Sequence, residues 1–441
     1  MLGFDLEVMF VGTFVGLAIL CGFLLYFTSS QKSSSQHALT QNYVSFRNQY
    51  IMIFCLMMAG DWLQGPYVYA LYQAYGFSVT QIGILFIAGF GSSLVFGTVV
   101  GSLADRIGRK KACLLYCLIY TASCVTKHWN NINVLLLGRV FGGIATSLLF
   151  SAFESWVIAE SSKQNFDGFL WDLFPRAVFY GNGLTAILSG FLANTLVISL
   201  EMGPIAPFDA AAAFLTVGGL IIAFTWNENY GSRGSERSFY SQFSVAALAI
   251  QKDTRVLLLG CMQALFEGAM YTFVFLWTPT LSKGNIELPH GHIFANFMVS
   301  CMVGSALANS FMSSELKPEY YMQFVFGLAS CCMLLTATII YSDLNPELSA
   351  VISFTCFCLF EVAVGIFWPS MMEMRSQYVP EEVRSTVMNI FRMPLNVFVC
   401  SILFNVNDNN LGGMFLMCAA FLALALYCQY KLHSIITSVA K

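Results

Sequence analysis

The chain has 441 residues, 57% of them hydrophobic and only 10% charged, with a formal net charge of −3. Soluble domains carry about 25% charged residues, so the composition excludes a water-soluble protein. The small net charge, without a long basic or acidic run, excludes a nucleic-acid partner. The 14 cysteines lie mostly inside apolar segments and read as small buried hydrophobes rather than disulfides or metal ligands. No cofactor or metal is implied, and no Asn-X-Ser/Thr glycosylation site occurs.

Apolar runs long enough to cross about 30 Å of hydrocarbon begin with residues 8–27, the leader. Spans 1 to 6 follow at 49–73, 80–101, 112–128, 133–157, 168–199 and 207–226. Spans 7 to 12 lie at 256–281, 290–313, 320–341, 347–372, 384–405 and 409–431. The leader starts with Asp5 and Glu7 rather than basic residues, and no small-residue cleavage site follows Tyr26, which predicts an uncleaved anchor with its start outside. With the loop after span 2 inside, that side receives Lys32, Arg47, Arg106, Arg109, Lys110, Lys111, Lys163, Arg233, Arg237, Lys252, Arg255, Lys317, Arg375, Arg384, Lys431 and Lys441. The outside receives Lys127 and Lys283. This asymmetry predicts a cytoplasmic C-terminus. The expected layout is a leader and linker (1–48), a first six-helix bundle (49–226), a cytoplasmic central loop (227–255), a second bundle (256–431) and a tail (432–441).

Six ionisable residues fall deep within these runs: Asp61, Arg139, Arg176, Glu267, Glu361 and Arg392. A charge at bilayer depth costs about 2.5–3.5 kcal/mol even on lenient scales, so it faces a partner or a water-filled cavity. The six sit on spans 1, 4, 5, 7, 10 and 11, whereas spans 3, 6, 9 and 12 carry none at depth. The two halves also echo each other. Asp61 and Glu267 occupy similar depths in spans 1 and 7, and Phe174-Pro175-Arg176 parallels Phe391-Arg392-Met393-Pro394. Phe153-Glu154-Ser155-Trp156 likewise parallels Met372-Glu373-Met374-Arg375. Such repeats are common in secondary transporters, where the site lies near the midplane at the repeat interface.

The loop after span 2 reads Gly101-Ser102-Leu103-Ala104-Asp105-Arg106-Ile107-Gly108-Arg109-Lys110. It resembles the loop motif of the major facilitator superfamily, G-x-L-a-D-r-x-G-r-[RK]. Its glycines permit tight turning and close helix approach, and Asp105, Arg106 and Arg109 are suited to a charge network that breaks and reforms during gating. Gly138-Arg139 with Gly142-Gly143 is similar to that superfamily's pattern on span 4. Glu154 ends span 4 about 22 Å further in, at about 1.5 Å per residue, within expected reach of Arg106 or Arg109. Glu373 is its counterpart in the second half, so both join Gly101 and Gly108 as gating candidates.

Longer stretches resemble the eukaryotic molybdate-anion transporter family within that superfamily. They are Asp61-Trp-Leu-Gln-Gly-Pro-Tyr67 with Leu71-Tyr72, Gly138-Arg139 onward to Phe153-Glu154-Ser-Trp156, Gln263-Ala-Leu-Phe-Glu267 with Phe273-Val-Phe-Leu-Trp-Thr-Pro279, and Phe391-Arg392-Met-Pro394. The resemblance implies an all-α polytopic membrane protein with the major facilitator fold, two six-helix bundles of twelve core helices plus the N-terminal leader. It also implies molybdate uptake across the plasma membrane.

Molybdate is a tetrahedral dianion, and arginine offers forked donors suited to oxyanions. Arg139, Arg176 and Arg392 are therefore substrate-binding candidates, with Gln64, Tyr67, Asn389 and Asn396 as neutral contacts. The competing reading of each arginine is a permanent salt bridge to an intramembrane acid. Importing a dianion against −100 mV costs about 4.6 kcal/mol, so uptake needs coupling or trapping. Three arginines and three acids sum to zero, and an added dianion favours proton binding, which makes Asp61, Glu267 and Glu361 the candidate proton sites. Most aromatic residues read as packing or interfacial belt, and Trp368-Pro369 reads as a hinge. A transporter of sulfate or a small carboxylate shares nearly all of these features, and a non-transporting receptor or scaffold of the same fold is the alternative from another class.

Overall fold

The computed structural model describes residues 6–31, 40–97, 99–230, 244, 247, 248, 250–282, 288–314, 316–342, 344–379, 387, 390, 391, 399–401, 403, 404 and 410–439. These are helical throughout apart from short connections, with no strand among the described residues. The first part of the chain forms α1 (Leu6–Gln31), α2 (Gln41–Trp62), α3 (Val68–Ala74), α4 (Val79–Gly97), α5 (Val100–Ile107), α6 (Arg109–Val125), α7 (Ile132–Lys163), α8 (Leu170–Ala177), α9 (Thr185–Asn194) and α10 (Ala206–Thr225). The later part forms α11 (Thr254–Leu281), α12 (His290–Ser313), α13 (Pro318–Ile340), α14 (Pro346–Tyr378) and α15 (Leu411–Val439).

Ten described helices are long and apolar enough to cross a membrane. Span 1 is not one helix. α2 stops at Trp62, residues 63–67 form a turn, and α3 resumes at Val68. Pro66 explains the break, because proline has no N–H to donate and disfavours helical geometry at the residue before it, Gly65. Gln64 Nε2 donates to the Gly60 carbonyl at 2.9 Å, which satisfies one acceptor freed at the helix end. Span 5 is likewise interrupted, by π-helical turns at Val178–Leu184 and Thr195–Ser199. Span 11 falls largely outside the described residues.

The chain forms two compact units. The first, here the N-terminal unit, comprises Ser33–Ser235 with Pro289–Ala295, and the second, the C-terminal unit, comprises Met1–Lys32, Glu236–Leu288 and Asn296–Lys441. In the N-terminal unit α4 and α6 pack on α7, while α10 packs on α6 and α2. A Cβ at Gly143 of α7 would strike Ser92 Oγ and the Gly89 carbonyl, so the α4–α7 crossing requires glycine there. Trp156 and Trp226 stack with centroids 3.6 Å apart.

In the C-terminal unit α11 and α13 each pack against α14 and α15. Phe266 stacks on Phe367 at 4.0 Å, and Phe273 meets Phe357 and Phe360 edge-on. The leader helix α1 belongs to this unit. Buried Asn296 donates its amide to the Phe10 carbonyl at 3.0 Å, and the Phe10 ring meets Phe354 edge-on at 4.8 Å. The outward face of α1 bears exposed Val8, Val15, Ile19 and Phe23, a surface suited to lipid. All fourteen cysteines are free thiols, but Cys261 and Cys331 are exposed rather than buried, on apolar helices.

Candidate functional site

In the N-terminal unit the deep acid and the deep arginine occupy separate niches. Asp61 lies in the last turn of α2, just before the Gly65-Pro66 break. Tyr120 of α6 donates its hydroxyl to Asp61 Oδ1 at 2.5 Å. One turn earlier, Tyr116 donates to the Met57 carbonyl at 3.0 Å, so α6 grips the end of α2 at two successive turns. Asp61 forms no ion pair among the described residues. Sequence reasoning missed Tyr120, whose only signal was its place in an apolar span.

Arg139 lies on α7, half-buried. Its Nε donates to the Leu85 carbonyl at 3.2 Å, and its guanidinium carbon stands 4.7 Å from the Phe86 ring centroid. Both contacts come from α4 and hold the guanidinium plane without neutralising its charge. A Cβ at Gly89 would stand 2.9 Å from Nη2 and 3.1 Å from Nε, so this glycine makes room for the fork. Arg139 has no carboxylate partner among the described residues. The Tyr120 ring passes Gly142, about one turn from Arg139 on α7, so the two niches adjoin.

Arg176 differs from the expectation of a deep anion ligand. It is exposed, lies next to Pro175 near the start of its span, and pairs with Asp172 at 2.7 Å one turn earlier on α8. Asp172 also receives Arg47 at 2.7 Å and the Tyr43 hydroxyl at 3.2 Å. Burial, then the neighbouring Asp172 carboxylate, holds the Tyr43 phenol well above its usual range. One acid thus serves two arginines, and Asp172 gives no signal in the sequence because it sits in the polar start of the run.

Gln64 is occupied by the α2 carbonyl described above. Tyr67 is buried, donates to Asn194 Oδ1 at 3.3 Å and packs against the His290 ring at 5.4 Å. Asn194 in turn contacts His292 at 3.3 Å. Lys127, expected in an outer loop, is buried with Nζ 2.9 Å from the Tyr72 hydroxyl.

The C-terminal unit treats its acids differently. Glu267, near the middle of α11, is 2% exposed and accepts from Gln263 Nε2 at 2.7 Å. Arg375 of α14 donates to Gln263 Oε1 at 3.0 Å. Glu361 of α14 is also buried and forms no ion pair among the described residues. One turn further, Gly365 meets the Cys301 carbonyl closely enough that a Cβ would clash, which brings α12 against α14 at this depth. Arg392, Asn389 and Asn396 lie outside the described residues.

The glycine-rich loop becomes α5 and the start of α6. Gly108 adopts φ +108°, a left-handed region that favours glycine, and Gly101 lies within α5. Arg109 pairs with Asp105 at 2.7 Å and donates to the Ser155 carbonyl at 3.0 Å. Glu154, expected to pair with Arg106 or Arg109, is exposed and forms no ion pair among the described residues; Arg109 takes the backbone of the next residue instead. Arg106 is exposed, and Glu373 accepts from Gln377 at 2.8 Å. The acid that engages this loop is Glu228. Its two carboxylate oxygens accept from the Lys110 and Lys111 amides at 2.9 and 3.3 Å, at the N-terminus of α6 where the helix dipole favours an anion. Trp156 Nε1 donates to the Asn227 carbonyl at 2.8 Å, and Asn229 returns a bond to the Trp156 carbonyl at 3.2 Å. Residues 227–229, read as the beginning of a polar loop, are therefore a structured strap.

Residues 9–361 match the model of the MFS_5 family, described as sugar transporters, 12 TM. A molybdate-anion transporter of Xenopus laevis is 35% identical over 434 residues, covering 96% of this chain and 94% of that protein. The chain belongs to the molybdate-anion transporter family of the major facilitator superfamily. A family member from Danio rerio is 30% identical over 472 residues, with 97% of this chain and 96% of that protein covered. Among solved structures, the nucleoside transporter NupG superposes with a TM-score of 0.68 at 12% identity, over 88% of this chain and 98% of its own. The inward-open xylose transporter XylE from E. coli gives 0.66 at 12% identity, over 88% and 96%. These likenesses establish the major facilitator fold. Family and fold are those of integral multi-pass membrane transporters, which makes transport rather than catalysis the activity class.

Proposed function

We propose that this protein is a secondary transporter that takes up molybdate by alternating access, coupled to protons, across the plasma membrane. In this reading the chain forms two six-helix bundles, twelve core helices in all, with the N-terminus outside and the C-terminus cytoplasmic. The observation that carries it is Arg139: a half-buried guanidinium oriented by the Leu85 carbonyl and the Phe86 face, with no carboxylate to neutralise it among the described residues. An oriented, uncompensated arginine is suited to a tetrahedral oxyanion. The names of the relatives at 30–35% identity support molybdate as that anion.

Asp61, Glu267 and Glu361 serve as proton sites in this mechanism. Asp61 and Glu361 form no ion pair among the described residues, and Glu267 is buried and accepts from Gln263. Two protons carried with each dianion remove the cost of about 4.6 kcal/mol that a −100 mV potential imposes. Arg392, Asn389 and Asn396 are further anion-binding candidates in this reading, with Gln64 and Tyr67 as neutral ones. Arg176, tied to Asp172, contributes to the end of its helix instead. Gly101, Asp105, Arg106, Gly108, Arg109, Glu154 and Glu373 form the gating set.

Uptake of labelled molybdate by purified protein in liposomes tests the proposal. An inward proton gradient is expected to stimulate uptake in the wild type, and Arg139→Ala to abolish it. Stimulation by sulfate or carboxylate substrates with no molybdate uptake reassigns the anion. Uptake indifferent to the gradient removes proton coupling but leaves the anion assignment standing.

A further inference from the structure

We infer that Gln263 and Arg375 are positioning residues for Glu267, forming a directed chain that holds one oxygen of this deep carboxyl as a fixed hydrogen-bond acceptor. The inference rests on the reading of Glu267 as a working acid of the transport cycle, and extends it to two residues with no role in that reading.

The direction of the chain follows from donor chemistry. A guanidinium only donates, so Arg375 Nη1 at 3.0 Å requires the oxygen end of the Gln263 amide. That fixes the amide, and its nitrogen then faces Glu267 Oε1 at 2.7 Å. Gln263 cannot turn over without setting its own N–H₂ against a cation. Glu267 is therefore offered a donor at Oε1.

The placement makes this more than a local contact. Gln263 and Glu267 are 3% and 2% exposed, about one turn apart on α11. Arg375 is half-buried in the last turn of α14. The chain thus links the end of one long helix to the middle of another through a single amide. In low dielectric such a bridged charge acts more strongly than it would in water. Movement of the α14 end relative to α11 would break the chain at Gln263 and take the oriented donor away from Oε1.

Carbodiimide modification of Glu267, quantified by mass spectrometry on the full-length protein in liposomes, reads this chain independently of transport. Gln263→Met is expected to raise the modification rate about tenfold, because Oε1 loses its donor, and Arg375→Met to raise it by a similar factor. The decisive arm is the double variant: because Arg375 acts through Gln263, it is expected to be no faster than Gln263→Met alone. Arg375→Lys, which keeps a donor, is expected to recover most of the wild-type rate. Gln263→Glu preserves the volume of the side chain and guards against misfolding of the methionine variant; it also raises the rate. Unchanged rates in both Gln263 variants, or multiplicative rates in the double variant, overturn the inference. Molybdate uptake by the same samples separates the two ideas. Altered modification with a wild-type maximal rate and KM would keep the positioning role and remove Glu267 from the transport cycle.

Discussion

Asp61 and Glu267 fall at similar positions along spans 1 and 7 of the sequence, yet the protein solves the problem of a buried acid in two ways. Asp61 ends a helix, is met by a neutral donor, a phenol from a neighbouring helix, and forms no ion pair among the described residues. Glu267 lies mid-helix and is met by an amide on its own helix, which an arginine polarises from behind. In the N-terminal unit the arginine, Arg139, is instead spent on a carbonyl and a ring. The difference teaches that charge balance in a membrane protein need not be local. One unit holds Arg139 with no carboxylate partner among the described residues, as the proposed anion site requires, and the other sets an arginine behind the amide that meets an acid.

Arg139→Ala is the hardest blow to this contrast, because it removes the open cation. Truncating a desolvated charge partner costs about 2–5 kcal/mol, so uptake is expected to fall at least about thirtyfold, with only partial recovery in Arg139→Lys, which lacks the fork. Wild-type uptake in the alanine variant would end the assignment. Gly89→Leu attacks the same group without touching its charge. The added side chain displaces the guanidinium from Leu85 and Phe86, and an uptake loss of about tenfold, or about 1.4 kcal/mol, is expected with expression retained.

Tyr120→Phe sharpens the comparison on the acid side. It deletes the Tyr120 hydrogen bond to Asp61, a bond to a charged group worth about 1.5–3 kcal/mol, and uptake is expected to lose its response to a proton gradient while molybdate binding, followed by isothermal calorimetry, changes little. Glu228→Ala probes a fixed structural acid against these functional ones. Losing the α6 cap is expected to cost about 1 kcal/mol, seen as a thermal midpoint lower by about 2 °C with substrate specificity unchanged. Asp253→Asn is the smallest effect. The Arg255 side-chain bond holds the Asp253 carboxyl below its usual value, so its stabilisation is present above about pH 4 and is lost as pH falls through the lowered folded value. Both partners are partly exposed, so a difference under about 1 kcal/mol is expected between variant and wild type at pH 7, vanishing at strongly acid pH.

Much of the fold was legible without coordinates because the bilayer imposes a simple rule. Long apolar runs must be helices, and Asp61, Glu267 and Glu361 stood out because deep charges are costly. The glycine-rich loop was legible too, since Gly108 really does occupy a backbone region that favours glycine. Arg176 was misjudged for the opposite reason. Its depth was inferred from where an apolar run began, while Asp172 and Arg47, which decide its role, belong to segments far apart or too polar to attract notice.

The sequence by itself determined the class of protein, the helical architecture and the small set of residues that bear charge in lipid, because hydrophobic length and charge cost are properties of local composition. Only the tertiary structure decided which of those charges are neutralised and by what. Tyr120, Gln263 and Glu228 are ordinary residues in a sequence, and they acquire their roles because helix packing brings a donor or acceptor within hydrogen-bond distance of a charge from another turn or another helix. That distance is set by packing across many residues, which no local pattern records.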